Sequence, residues 1–390
     1  MKLRVLDLSR LLPGPFASQI LADLGAEVLK IEDPRGGDYL RWMPPLHGDT
    51  SALFAAINRG KRSLALDLKA EAGREVFLDL LRDGYDVVLE SFRPGVMARL
   101  GLDVETLAKV QPRAIVCSIS GFGSRGEDAP RAGHDLGYIS RAGIAHLLGR
   151  SGEKPVVPGV QIADLAGGAW PAVAGILAAA LEREQSGQGK ALEISMTHSA
   201  AALLSPAFAG ALCGGEALER GELLLGGGTP CYAFYTCADG KVMALAALEP
   251  HFWDAFCLAV ELPELSGRGL DRGESGAEVR ARLEALFASR PQGEWETLFR
   301  EHDCCCEPVR EGLEALDDPH LDLRSRLVPT ESAGGASLQA MVTPLADPAT
   351  APRRIPGLGE HTAEVLGGLG YGSERIQSLA EAGVVSLSTG

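Results

Sequence analysis

Basic residues are in short supply in this chain: 37 Lys and Arg stand against 52 Asp and Glu, a formal net charge of −15. Neutralising nucleic-acid phosphates takes a clustered excess of cations, so the balance argues against a nucleic-acid partner and leaves any phosphate-bearing ligand to a local basic patch. Aromatic residues are also scarce, at 5%. Eight cysteines occur, at 117, 213, 231, 237, 257 and 304 to 306, with no pair of CxxC motifs and no histidine at ligand spacing. That disfavours zinc or another resident metal. Cys304-Cys305-Cys306 reads as packing, since free cysteine behaves as a small hydrophobe, and the pattern suits a reducing cytoplasm.

Other absences narrow the field further. No GxSxG elbow, GxxxxGK[ST] loop or HExxH helix is present, which removes three common hydrolase and nucleotide classes. Asp7 interrupts the apolar stretch after Met1 where a secretory signal needs an unbroken run, so no export is expected. The most apolar later segment, Leu165 to Leu181, is rich in Ala and Gly, carries Pro171 and is bracketed by Asp164 and Glu182. A buried helix explains it better than a membrane span.

What is present points to an α/β protein. With 390 residues, 46% of them hydrophobic, the chain is expected to fold into two domains, each with its own core. The first 130 residues alternate short apolar runs with helical patterns, as βαβ units and a mostly parallel, doubly wound sheet require. Strands are predicted at Leu3 to Leu6, Glu27 to Ile31, Ser63 to Leu66, Val87 to Leu89 and Ala114 to Ile119, with helices at Pro15 to Leu24 and Glu71 to Arg82. Glycine-rich Gly221 to Pro230 reads as a linker, and Asp239-Gly240 as the turn of a hairpin spanning Tyr232 to Leu248. A second Gly/Pro-rich zone covers 329 to 360. The expected division is a large domain over 1–220, a small α+β domain over 221–330, and a C-terminal return to the large domain over 331–390.

One motif is set aside. Gly121-Phe122-Gly123-Ser124-Arg125-Gly126 matches GxGxxG, but Glu127, Asp128 and Pro130 follow where a pyrophosphate-binding helix should open. A tight loop is the better reading. Ser195 and His198 merely share a helix face, whereas triads assemble across a fold.

Two sites place an ionisable side chain at the start of a helix of small and apolar residues: Gly133-His134-Asp135 before Leu136, and Ile162-Ala163-Asp164 before Leu165. Free N–H groups at such ends and the helix macrodipole favour negative charge, and an enolate oxygen would suit them. Asp164 also fits an N-cap, the ordinary role of Asp there, and His134 fits a lone loop histidine. Glu249, after the apolar run Met243 to Leu248, calls for a buried partner or a functional reason. For phosphates the candidates are the cluster Arg59, Lys61 and Arg62, and Arg93 in Phe92-Arg93-Pro94-Gly95. Cations at strand ends of an α/β sheet sit where anions bind, although a solvated charge run explains the cluster equally well.

Leu6-Asp7-Leu8-Ser9-Arg10, Pro13-Gly14-Pro15-Phe16, Leu21 to Glu32, Asn58-Arg59-Gly60-Lys61-Arg62-Ser63, Phe92-Arg93-Pro94-Gly95 and Pro356-Gly357-Leu358-Gly359-Glu360-His361-Thr362 together resemble the class III CoA-transferase family over nearly the whole chain. The resemblance implies a Rossmann-like large domain, a small domain inserted through linkers, and a homodimer of interlocked rings. It implies an acyl-CoA substrate, no prosthetic group, and coenzyme A carried as part of that substrate. In the family's transferases the aspartate matching Asp164 is a nucleophile. In its α-methylacyl-CoA racemase branch the same aspartate works with a Gly-His-Asp histidine supported by a glutamate, matching His134 and Glu249. Backbone N–H donors at the two helix starts, near Asp135 and Asp164, are expected to hold the enolate oxygen. The separation, 164 − 134 = 30 positions, is similar to that branch. Val160 departs from its usual Asn, so CoA transfer through an Asp164 adduct is the alternative to racemisation of 2-methylacyl-CoA thioesters.

Overall fold

The computed structural model describes residues 3–48, 50–215 and 217–387, and the chain divides into two compact units. The first takes Met1–Ala142, Gly159–Leu203 and Asp322–Gly390, and the second Gly143–Pro158 and Leu204–Leu321. The boundaries expected at 220 and 330 therefore fall at 203 and 321, with 143–158 joining the second unit. Composition gave no signal at Leu203 because it lies between two Ala-containing helices, Met196–Ala202 and Ser205–Gly214.

The first unit is built on a seven-stranded sheet. Its strands are β1 (Arg4–Asp7), β2 (Glu27–Glu32), β3 (Arg62–Leu66), β4 (Val87–Glu90), β5 (Ile115–Ser120), β6 (Ala191–Ser195) and β7 (Val385–Ser386). The order is 7-3-2-1-4-5-6, parallel throughout except for the antiparallel edge pair β7 and β3. The run 3-2-1-4-5-6 is the doubly wound order, which opens a crevice outside the carboxyl ends of the strands where the order reverses, between β1 and β4. Strands β1 and β4 are almost wholly buried, as expected of central strands covered on both faces.

Helix Glu71–Arg82 shows how sequence period becomes packing. Val76, Phe77, Leu80 and Leu81 fall on one stripe and are buried in a core with Leu6, Leu29, Leu64 and Val88. Glu71 in the first turn and Arg82 in the last complement the macrodipole, and Gly84, at φ 95°, ends the helix in the left-handed region.

Two expectations change in the first unit. Residues 329 to 360 are no plain linker: Leu327–Ser332 pairs antiparallel with Ser337–Met341 and parallel with Arg354–Ile355. Glycine and proline there mark the turns of a small sheet. The apolar segment after Asp164 is part of a continuous helical run, Ile162–Ser186, long and apolar enough to cross a membrane by length and composition. One side of it buries Ala172, Val173, Ile176 and Ala179, while Trp170 and Leu181 are exposed.

In the second unit the predicted hairpin forms between Tyr232–Thr236 and Val242–Ala246, with Cys306–Pro308 as a third strand. Gly226 to Gly228 lie inside this unit, in the turn leading to the hairpin. Its core holds Tyr235, Trp253, Phe256, Phe287, Trp295 and Phe299, with Tyr235 and Phe287 stacked at 5.0 Å. Five cysteines, Cys231, Cys237, Cys257, Cys304 and Cys306, are buried among them.

Beneath helix Pro13–Asp23 runs a buried polar network. Lys61 Nζ donates to Asp7 Oδ2 at 3.2 Å, Ser18 Oγ at 2.7 Å, Asn58 Oδ1 at 2.8 Å and Pro15 O at 2.9 Å. Lys30 pairs with Asp38 at 3.0 Å. Burial opposes ionisation of Asp7, but Lys30 and Lys61 outweigh it and hold the carboxyl at about 2. Removing one member leaves a buried charge uncompensated, so Asp7→Ala is expected to lower stability by about 3–5 kcal/mol, read from the urea unfolding midpoint. A loss under about 1 kcal/mol would show that water replaces the carboxylate.

Candidate active site

The crevice side of the sheet gathers its functional residues from the chain that follows the strands. After β5 the chain runs through the glycine loop Gly121 to Gly126, and the residues beyond Gly126 form turns, with no helix until Asp135–Ala142. The dinucleotide fingerprint is therefore not formed. The loop is tied down instead: Gly121 O accepts from Thr197 N at 3.0 Å and Thr197 Oγ1 at 2.7 Å, and Glu193 accepts from the Ser124 hydroxyl at 2.7 Å.

His134 stands at the start of helix Asp135–Ala142. Its carbonyl accepts from Gly137 N at 2.8 Å and Tyr138 N at 3.2 Å, so His134 occupies the N-cap position while its side chain is exposed. The Asp135 N–H is then the first of the helix and has no partner among the described residues.

Asp164 is placed differently from the expected cap. Gln161 is the N-cap, and Asp164 is the third residue of the helix that starts at Ile162. At that position the backbone N–H is ordinarily satisfied by the N-cap side chain, which Gln161 does not supply. Asp135 supplies it from the other helix: Asp164 N donates to Asp135 Oδ1 at 2.9 Å. The two helix starts are thus joined directly, and His134 is one peptide away from the joint.

The Asp164 side chain makes no hydrogen bond or ion pair among the described residues. Burial and the neighbouring Asp135 carboxylate push its carboxyl up to about 7. Both effects disfavour the ionised form, the first by desolvation and the second by like charge. The helix continues through a π-helical turn, Leu165–Ala169, a distortion found often at functional sites. Glycine is required there because a Cβ on Gly167 would lie 2.8 Å from Met196 O, so the close neighbour at that position is backbone, while Gly168 faces the side chains of Met196 and Pro13.

Tyr138, one turn after His134, follows the Gly-His-Asp motif that resembles the racemase branch, although the sequence assigned it no role. It is buried, and its ring lies where a Cβ on Gly121 or Gly133 would come within 2.4 and 2.5 Å of it, with Phe122 edge-on at 5.2 Å. Burial, with the charges of Asp164 and Asp135, pushes its phenol up to about 12, while Arg93 acts the other way. The four-residue spacing from His134, which puts both on one helix face, was the available signal.

The expected phosphate cluster divides. Arg59 is fully buried and bidentate to Asp23, at 2.6 and 2.7 Å, and also donates to Pro352 O. It fastens helix Pro13–Asp23 to the C-terminal return. Lys61 is equally buried in the Asp7 network. Desolvation without a carboxylate partner is costly, so both cations are committed inside the protein and leave the phosphate-binding set. Arg62 opens β3 and pairs with Glu27, which opens β2, and with Glu364 at 3.0 Å. That puts it toward the amino ends of the strands, away from the crevice. Arg93 follows the carboxyl end of β4 and is exposed, the placement an anionic ligand needs.

Glu249 belongs to the second unit, and the structure does not bury it. It is exposed at the N-cap of helix Pro250–Ala259, with its charge felt at Cys305. The strand before it ends three residues earlier, at Ala246, so the carboxylate clears the core.

The chain belongs to CoA-transferase family III, whose family model matches residues 2–362. It is 36% identical to the α-methylacyl-CoA racemase of Mus musculus over 384 residues, covering 96% of this chain and 94% of that protein. It is 35% identical to the succinyl-CoA:mesaconate CoA-transferase of Haloarcula hispanica over 402 residues, covering 96% and 98% respectively. Among solved structures, a CAIB/BAIF family protein from Brucella suis aligns with a TM-score of 0.79 at 29% identity, over 94% of this chain and 98% of that one.

The raised Asp164 carboxyl has a stability consequence with a definite sign. The folded state holds this proton more tightly than the unfolded chain, so its contribution is complete below pH 3.8 and lost as the pH rises through about 7. Asp164→Asn, which mimics the protonated form, should be about 1–3 kcal/mol more stable than the wild type at pH 8 and nearly equal to it at pH 4. Urea unfolding at the two pH values checks this, and a gain of the same size at both would contradict the assigned cause.

Proposed function

We propose that the protein is a racemase of 2-methylacyl-CoA thioesters, inverting C2 by removing a proton from one face and returning one to the other through an enolate. The observation that carries this reading is the joint between the two helix starts, where an unpartnered carboxyl held near neutrality is bonded through its backbone to the turn bearing His134. Inversion needs two proton carriers on opposite faces of a planar intermediate. A carboxyl that titrates near pH 7 and an imidazole, which ordinarily titrates in the same range, can exchange those roles between the two directions of reaction.

In one direction neutral His134 takes the α-proton and the Asp164 carboxylic acid delivers its own. In the other, the Asp164 carboxylate is the base. The enolate oxygen would be held by first-turn N–H groups, with that of Asp135 unpartnered and available, an effect worth about 3–4 kcal/mol per donor. Arg93 would contact the coenzyme A phosphates. Glu249 would support the imidazole in an interlocked homodimer, the assembly the family resemblance implies.

A second reading rests on a specific observation: among the described residues nothing is bonded to the carboxyl of Asp164, which leaves it open to attack a thioester as a carboxylate. The similarity to the Haloarcula hispanica transferase supports it. Enzyme in D2O distinguishes the two. Racemisation exchanges the α-hydrogen of a 2-methylacyl-CoA with no added acid, and His134→Ala slows this exchange by about 10²–10⁴-fold. No exchange, with CoA moved to an added carboxylate and inactivation by hydroxylamine only when acyl-CoA is present, would assign the transferase chemistry.

A further inference from the structure

Asp135 carries two unusual features together. Its side chain is buried although it is an acid at a helix start, and its Oδ1 accepts the N–H of Asp164, a donor left open because Gln161 does not cap its own helix. A residue needed only for its backbone N–H would have no reason to bury a carboxylate, since desolvating an ionised group is costly unless it is bonded.

We infer that Asp135 is a positioning residue whose side chain caps the Asp164 helix from the neighbouring element, fixing the Asp164 carboxyl relative to the His134 turn. This rests on the racemase reading for its catalytic meaning, while the geometry stands without it. The bond fixes spacing, because the acceptor is adjacent in sequence to His134 and the donor is on Asp164 itself. Its charge has a second effect, as the like charge of Asp135 helps keep Asp164 protonated near neutrality.

The surroundings leave Asp135 as the group that sets this effect. On its own turn and helix are His134, Tyr138 and Arg141, the last paired with Asp128 at 2.6 Å. From beyond β4 comes Arg93, whose charge acts on Tyr138. Helix Met196–Ala202, packed against both helix starts, carries His198, whose Nδ1 lies 2.6 Å from Ser195 Oγ. Asp135 is the charged neighbour that acts on Asp164.

Two substitutions separate the bond from the charge. In Asp135→Asn the amide oxygen still accepts the N–H while the charge is gone; in Asp135→Ala both are lost. The first test is a 13C titration of the Asp164 carboxyl in full-length protein labelled at aspartate, assigned by the signal lost in Asp164→Asn. The wild-type midpoint is expected at about 7, and Asp135→Asn should lower it by about one to two pH units. In Asp135→Ala the Asp164 backbone N–H should exchange with D2O at least about tenfold faster than in the wild type. An unmoved midpoint in the Asn variant, or unchanged protection in the Ala variant, overturns the inference. Should Asp135→Ala fail to fold, the Asn titration decides alone.

The second test follows α-hydrogen exchange of a 2-methylacyl-CoA against pH. The limb set by Asp164 should move toward acid in Asp135→Asn by the same amount as the titration midpoint, a movement that general loosening of the fold would not produce. A shifted midpoint with an unshifted limb overturns the catalytic part of the inference. Wild-type enzyme that exchanges no α-hydrogen, with the titration shift present, sinks the racemase reading and leaves the positioning role of Asp135 supported.

Discussion

The N–H of Asp164 and the carboxylate of Asp135 meet at 2.9 Å, and the chemistry proposed for this protein depends on that contact. Two helix starts separated by a long stretch of chain have no intrinsic reason to hold a fixed spacing. A partly buried hydrogen bond to a carboxylate supplies one, because breaking it would leave a largely desolvated acceptor and a backbone donor without their partner. The same contact sets a negative charge beside a second carboxyl and so tunes its proton affinity. Position and acidity are governed by one interaction.

That contact is held in place by constraints further from the site. The π-helical turn after Asp164 lies on Met196 through Gly167 and Gly168, so the helix cannot slide without a clash. Tyr138 fills the space that Gly121 and Gly133 leave open, locking the loop after β5 to the helix that carries Asp135. Arg59 and Lys61 act at greater distance, the first paired with Asp23 at the end of helix Pro13–Asp23 and the second with Asp7 beneath it. These residues are prominent in the sequence because the fold needs them, and their commitment to internal partners is what removes them from the ligand.

Much of the fold was legible in the residues. The strands β1 to β5 and helix Glu71–Arg82 fall where apolar period and length put them, because their side chains pack against a common core and the pattern records which face is buried. Strand β6 was harder to see, since Ala191–Ser195 lies at the sheet edge and mixes exposed with half-buried positions. The sheet Leu327–Met341 was hidden by the glycines and prolines of its turns. Of the site, His134, Asp135 and Asp164 were identifiable as acids and bases at helix starts, whereas the place of Tyr138 after the Gly-His-Asp motif said nothing of its role.

The amino-acid sequence by itself determined the alternating α/β class, the family and the residue types able to carry a proton, because these follow from local period and from chemistry that each side chain keeps in any context. Only the tertiary structure decided which charges are free and which are spent. Arg59, Lys61 and Arg93 are alike as letters; burial against Asp23 and Asp7 separates the first two from the third. It likewise turned Asp164 from an apparent cap into an unpartnered acid. Desolvation and pairing depend on neighbours distant along the chain, and no local pattern of residues records them.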